Sequence, residues 1–170
     1  LNLSYGYGQV FVVPHEELDG QMQGGMSPLP LPRLPTGIMR GRFHPTDGQL
    51  YTCGMFAWAG NQQQPGGFYR IRATGQPIHL PVGLNATKRG MIVTFADPLD
   101  VKTASDPSNY RVKVWSLKRT ANYGSKHYDE RTLDVAAVKV STGGRTVELI
   151  LPEIAPTWGM EIRYSVKGAN

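Results

Sequence analysis

The stretch that decides the fold is Leu84-Asn-Ala-Thr-Lys-Arg-Gly-Met-Ile-Val-Thr-Phe-Ala-Asp-Pro-Leu-Asp100, followed by Ser105-Asp-Pro-Ser-Asn-Tyr110 and Arg111-Val-Lys-Val-Trp-Ser-Leu117. It reads as strand, turn, strand, an Asp/Pro-rich loop and a strand whose side chains alternate. Such alternation sends one set of side chains into a core and the other into water. Working outward, strands are expected near 82–88, 90–96, 109–118, 132–140, 145–151 and 160–167. Thr142-Gly-Gly-Arg145 supplies a hairpin turn, and Ile162, Tyr164 and Val166 alternate with Arg163, Ser165 and Lys167. Short strands separated by turn signals at this spacing predict an antiparallel β-sandwich of the immunoglobulin-like kind. One helical turn is expected, around Val101–Ala104.

Composition changes near residue 77. All seven Lys lie at position 88 or later, while residues 1–75 hold thirteen of the twenty Gly. The boundary falls at Thr74-Gly-Gln-Pro-Ile-His-Leu-Pro81, a turn and then a Pro-stiffened connector. Two domains are therefore expected, 1–75 and 78–170. In the first, Gln9-Val-Phe-Val-Val-Pro14 is a short strand, and Pro28-Leu-Pro-Leu-Pro-Arg-Leu-Pro35 is an extended surface segment, because closely spaced Pro removes ladder donors. Gly37-Ile-Met-Arg-Gly-Arg-Phe43 and Gln49-Leu-Tyr-Thr-Cys-Gly54 are strands joined at Asp47-Gly48. The loop Gly60–Gly67 leads to Phe68-Tyr-Arg-Ile-Arg-Ala73, where Phe68, Arg70 and Arg72 share one face.

The chain of 170 residues carries a net charge of +5. Its Lys and Arg are scattered rather than packed into a stripe with interleaved aromatics, so nucleic acid is not an expected partner. No apolar run reaches the roughly 18 residues of a membrane span. The opening Leu1-Asn-Leu-Ser-Tyr5 has neither an initiator Met nor a basic-then-apolar leader, so a processed product or a piece of a longer chain is expected. Cys53 is alone, cannot form an internal disulfide, and is expected to be a buried, inert thiol.

His44-Pro-Thr-Asp-Gly-Gln-Leu-Tyr51 resembles the strand–turn–strand signature of a β-propeller blade in the sorbosone/glucose dehydrogenase-like propellers. Further matching pieces are Asp19-Gly-Gln-Met-Gln-Gly-Gly25, Met39-Arg-Gly-Arg-Phe-His-Pro45, Gly67-Phe-Tyr-Arg-Ile-Arg-Ala-Thr-Gly75, Leu99-Asp100, Asn109-Tyr110, and Tyr123-Gly-Ser125 with Tyr128. The whole chain resembles the C-terminal region of large secreted planctomycete- and verrucomicrobia-type proteins. In those, such a propeller precedes an immunoglobulin-like sandwich and often a haem-binding domain. The resemblance implies a propeller-like β-meander over 1–75, export to the periplasm or beyond, and other protein chains or domains as partners. This chain lacks Cys-x-x-Cys-His, so haem or a quinone would come only through a partner chain or further domains.

Three residue groups could carry binding. Trp115, Tyr123, His127 and Tyr128 could present rings and polar groups to a carbohydrate; the plainer reading buries Trp115 in the core. Arg40, Arg42 and His44, if they alternate onto one face, would suit a carboxylate or phosphate; the plainer reading is a solvated strand edge. Asp97, Asp100 and Asp106, with Asn109, are oxygen ligands that could take Ca²⁺, or simply form Asp-Pro turns. His15-Glu-Glu17 falls short of a metal ligand set. Trp58 and Trp158 are expected to pack at the domain seam. No paired carboxylates in a clear pocket, no nucleophile elbow and no phosphate-binding Gly loop are read in the chain, so the leading expectation is a non-catalytic accessory, interaction or structural module. A carbohydrate-binding module and a dehydrogenase fragment completed by another chain are the alternatives.

Overall fold

The computed structural model describes residues 1–56 and 64–169. The chain is all-β, built from several small antiparallel sheets. Its first half contains β1 (Asn2–Ser4), β2 (Gln9–Val12), β3 (His15–Leu18), β4 (Gln21–Gly24), β5 (Ser27–Pro28), β6 (Gly37–Phe43), β7 (Leu50–Met55) and β8 (Gly66–Ile71). These fall into three separate sheets, ordered β1-β2-β5, β3-β4 and β6-β7-β8. No closed barrel or propeller forms among the described residues. The first and third sheets meet where β1 and β2 lie against β6, and Val10, Ile38 and Leu50 are buried in this half.

The β3–β4 hairpin turns at Asp19 and Gly20, both at positive φ (50° and 77°). That is the backbone of the tight turn that matches the twist of paired strands. Among the described residues the main contacts of the hairpin, beyond its own two strands, are with the second half. It lies against β9 (Pro81–Thr87), across the expected domain boundary.

The second half continues with β10 (Gly90–Phe95), a helical turn α1 (Val101–Ala104), β11 (Tyr110–Ser116), β12 (Tyr128–Leu133), β13 (Ala137–Val140), β14 (Thr146–Ile150) and β15 (Gly159–Tyr164). The single strand expected over 132–140 is two strands. The chain leaves one sheet after Leu133 and enters the other at Ala137, which frees Val138 and Val140 to pack on a different part of the core. The strands form a four-stranded sheet, β13-β14-β10-β9, and a three-stranded sheet, β12-β11-β15. Inward residues of both sheets share one core: Met91, Val93 and Phe95 from β10, Val147 and Leu149 from β14, and Tyr110, Val112 and Val114 from β11. Burying such side chains contributes roughly 1.5–3 kcal/mol each.

Asp100 caps α1 by accepting the Thr103 N–H, and Asp106 does the same for Ser108 in the following short turn. No described helix is long and apolar enough to cross a membrane.

Candidate functional site

A concavity lies where the two sheets of the second half part company, between β15 on one side and β9 with the β3–β4 hairpin on the other. Its geometry follows from β15. Ser165 N–H donates to the Asn109 carbonyl at 2.9 Å, and the register pairs Arg111 with Arg163 and Lys113 with Glu161. Backbone groups of an antiparallel strand point alternately to either side. Gly159, Glu161 and Arg163 therefore bond to β11. Met160, Ile162 and Tyr164 direct their N–H and C=O groups away from it, toward an edge where no described strand pairs.

The side chains of the same three residues turn inward onto the core. They form one wall of the groove, and Leu84 with Met91 and Val93 forms the floor. The far wall is the hairpin. Gln23 Oε1 accepts the Ala86 N–H at 2.7 Å, and its Nε2 donates to the Ala86 carbonyl at 3.4 Å. Asn85 donates to Glu16 on the same hairpin. Gly25 sits directly on Leu84, since a Cβ there would fall 2.5 Å from Leu84 Cδ2. The edge of β9 is thus capped at Ala86 by the Gln23 side chain, and no described strand pairs on the outer edge of β15.

The groove has a volume of about 1230 Å³. Its rim carries Met22, Met26 and Trp158, which are 65%, 61% and 70% exposed. Clustered exposed apolar side chains mark interaction surfaces, and Met adapts to irregular partners. Among the described residues of the lining Lys88 alone is charged, and no described carboxylate lies within ion-pair distance of it.

The three residue groups singled out in the sequence as binding candidates lie elsewhere. Trp115 is on the outward face of β11, not in the core, because Tyr110, Val112 and Val114 take the inward positions. Its indole lies on the β15 backbone at Gly159, where a Cβ would come within 2.3 Å of the ring. His127 stacks on it at 4.1 Å and 12°. The His127 ring also contacts Glu130 at 2.8 Å, and that bond, with Lys113, holds the Glu130 carboxyl below its usual range. Tyr128 is partly buried, with the Lys118 ammonium 4.3 Å from its ring, whereas Tyr123 stands fully exposed. The four side chains form a packed Trp–His pair and two separate tyrosines.

Arg40, Arg42 and His44 do share a face. Pairing sets Arg42 opposite Tyr51, and Tyr51 opposite Arg70, so the sheet adds to the group an arginine that lies far from it in the sequence. Phe68, 73% exposed, lies against Tyr51 with centroids 5.9 Å apart. Asp47 sits within this face, accepting from the Tyr51 hydroxyl at 3.0 Å and lying 3.5 Å from His44 Nδ1. The Gln49 N–H, together with Tyr51, His44 and Arg70, holds the Asp47 carboxyl below its usual range. The patch thus carries its own anion.

Asp97, Asp100 and Asp106 are each turned to local structure. Asp97 accepts the Ile78 N–H at 2.7 Å, Asp100 the Thr103 N–H at 3.0 Å, and Asp106 the Ser108 N–H at 2.9 Å. Their carboxylates do not converge, and no metal-holding cluster of three such groups occurs among the described residues. His15 bonds the Val13 carbonyl at 3.0 Å. Cys53 is exposed, a correction to its expected burial: Leu50 and Thr52 take the inward positions of β7 and leave Tyr51 and Cys53 outward. Trp158 is at the seam but mostly exposed, and Trp58 lies outside the described residues.

Sequence reading does not find Met22, Gln23, Met26 or the open edge. The available signal is Asp19-Gly20 between two short polar strands, a hairpin turn pair. Comparison of the chain with protein-family models, curated proteins and solved structures finds no match.

Proposed function

We propose that this chain is a non-catalytic interaction module whose second half, an immunoglobulin-like β-sandwich, docks a segment of another protein in the groove beside β15. The sandwich reading is supported by strand order. β13-β14-β10-β9 runs as D-E-B-A of the immunoglobulin arrangement and β12-β11-β15 as C′-C-F. The observation that carries the functional reading is the coincidence of an apolar trough, an exposed Met/Trp rim and an unpaired strand edge. Its volume exceeds the roughly 300–1,000 Å³ of small-molecule sites, which favours a polypeptide occupant. The module would serve a larger exported protein or assembly, secreted or periplasmic, and support a catalytic or electron-transfer partner.

The aromatic loop offers carbohydrate less. Stacking on a sugar needs a free ring face, and the Trp115 indole is covered by Gly159 and by His127. The Arg40, Arg42 and His44 face, the place where a dehydrogenase-like partner would complete a site, is partly neutralised by Asp47.

The test is selection. A displayed random peptide library is panned on the full chain, with a Met22→Glu/Trp158→Glu variant as the counter-target. Both side chains are mostly exposed, so the fold should survive the change. Peptides that bind the parent chain and lose the variant are expected. Enrichment that ignores the variant, or none at all, would overturn the reading.

A further inference from the structure

We infer that the outward face of the β6-β7-β8 sheet binds single-stranded nucleic acid, with phosphates on its arginines and bases on its rings. Strand pairing decides what the face contains. Arg40 stands opposite Cys53 and Cys53 opposite Phe68, while Arg42 stands opposite Tyr51 and Tyr51 opposite Arg70. Arg72 follows β8 in the same alternation. Arginines scattered in the sequence are thereby gathered on the two outer strands, with Tyr51 between them. Three rings run across the face, His44 to Tyr51 at 5.8 Å and Tyr51 to Phe68 at 5.9 Å between centroids. No residue of this sheet lines the groove beside β15, so the two sites are independent.

Charge is strongly one-sided here. Four guanidinium groups meet one carboxylate, that of Asp47, which leaves an excess of three positive charges; between Asp19 and Asp97 the chain has no other Asp or Glu. Asp47 is also engaged in its own turn, accepting the Gln49 N–H at 2.9 Å and the Tyr51 hydroxyl at 3.0 Å. Arg42 donates to the Gly41 carbonyl at 3.2 Å, and no described carboxylate lies within ion-pair distance of the four arginines. The first 87 residues use Arg and never Lys. Either cation serves a merely solvated face, but only Arg offers a planar fork that grips phosphate bidentately and stacks on rings.

The chemistry selects among anions. Arg donates and cannot accept, and the one carboxylate is already engaged, so the hydroxyls of a glycan find few acceptors. An acidic peptide would use the guanidinium groups and leave Phe68, 73% exposed, in water. A nucleic-acid single strand uses both, since bases stack on aromatic rings while basic side chains track the backbone. A duplex keeps its bases paired away from Phe68. The sheet also needs no further layer from the chain itself. Its other face is already covered, with Leu50 and Thr52 buried and Gly41 close against Leu3 and Leu50.

The probes are fluorescein-labelled octamers of deoxythymidine and of uridine, offered to the full chain and read by anisotropy from about 20 to 200 mM salt. With three or four phosphates engaged, log affinity should fall against log salt with a slope of about −2 to −3. Arg42→Gln and Arg70→Gln should each flatten that slope by about 0.7. Phe68→Leu should weaken binding about tenfold and leave the slope unchanged, while binding of a duplex should ignore it. These side chains are exposed, and an unchanged urea midpoint confirms that each variant folds. Absence of binding at the lowest salt would overturn the inference, as would binding indifferent to all three changes. Binding that needs the arginines but not Phe68 would make the face a general anion site and overturn it too. Polyglutamate held more tightly than the octamers at equal charge would assign the face to an acidic polypeptide instead.

Discussion

The side-chain amide of Gln23 occupies both backbone groups of Ala86, accepting its N–H at 2.7 Å and donating to its carbonyl at 3.4 Å. A glutamine thereby stands in for one residue of a neighbouring strand. Exposed strand edges are templates for association, and proteins blunt them with local devices. The relationship also ties the first half of the chain to the second, since Gln23 lies on β4 and Ala86 on β9.

Gln23→Ala removes both bonds and reopens the edge. The expected loss is about 1–2 kcal/mol, for two partly exposed hydrogen bonds, read as a lower urea midpoint. Light scattering should show concentration-dependent association that the parent lacks. An unchanged midpoint with no association would mean that the Asn85–Glu16 bond and Gly25 on Leu84 hold the hairpin without Gln23.

Tyr110 places its hydroxyl 2.7 Å from the Ala104 carbonyl, inside the core. Burial pushes its phenol up to about 12, and burial also raises that of Tyr164. The unfolded phenol titrates near 10, so the folded state holds its proton more tightly. The contribution to stability is complete below pH 10 and is lost as pH climbs from 10 toward 12. Tyr110→Phe should cost about 1–3 kcal/mol at neutral pH, because the buried carbonyl loses its donor. Above pH 10 its stability should fall less steeply than the parent's, with Tyr164 supplying the remaining slope. Denaturant titrations at neutral and alkaline pH measure both effects, and parallel pH profiles would contradict the assignment.

The second half of the chain is legible in the sequence because its signals are local. Alternation locates β11, β14 and β15, and the Asp100 and Asp106 caps leave their mark as Asp followed by a short turn. The register break after Leu133 is not legible, since Asp134, Val135 and Ala136 interrupt no hydrophobic pattern. In the first half the assembly of the strands is not legible. β6, β7 and β8 emerge where expected, but nothing in a strand–turn–strand pattern says whether a fourth strand joins them. The groove is invisible in the sequence for the same reason: it depends on which edges meet, and the hairpin that walls it makes its decisive contacts about 63 residues away.

Cys53 tests the face assignment of β7. Its place between the inward Thr52 and the partly buried Gly54 sets it outward beside Arg40 and Phe68. The native chain should react with a thiol reagent at one equivalent without denaturant, and Arg40→Glu should slow an anionic reagent relative to a neutral one. Reaction only after unfolding would place the thiol inside and reverse the face of the whole strand.

Gly159 and Trp115 give the sharpest packing test. They pair across β11 and β15, and the indole occupies the space above the glycine, 2.3 Å from where a Cβ would stand. A ring system packed between backbone and His127 cannot yield as a flexible side-chain end would. Gly159→Ala should therefore destabilise by about 1–3 kcal/mol, as overpacking does, and should lift Trp115 off the sheet, with a red-shifted emission and a weakened near-ultraviolet dichroism. Trp115→Leu in the same background should recover most of the loss, because it removes the atoms that collide. Gly159 is not at positive φ, so backbone strain contributes nothing, and recovery by the second change separates steric displacement from any intrinsic preference for glycine. If the double variant were no more stable than Gly159→Ala alone, the stacked indole would not be what demands glycine at the start of the open strand.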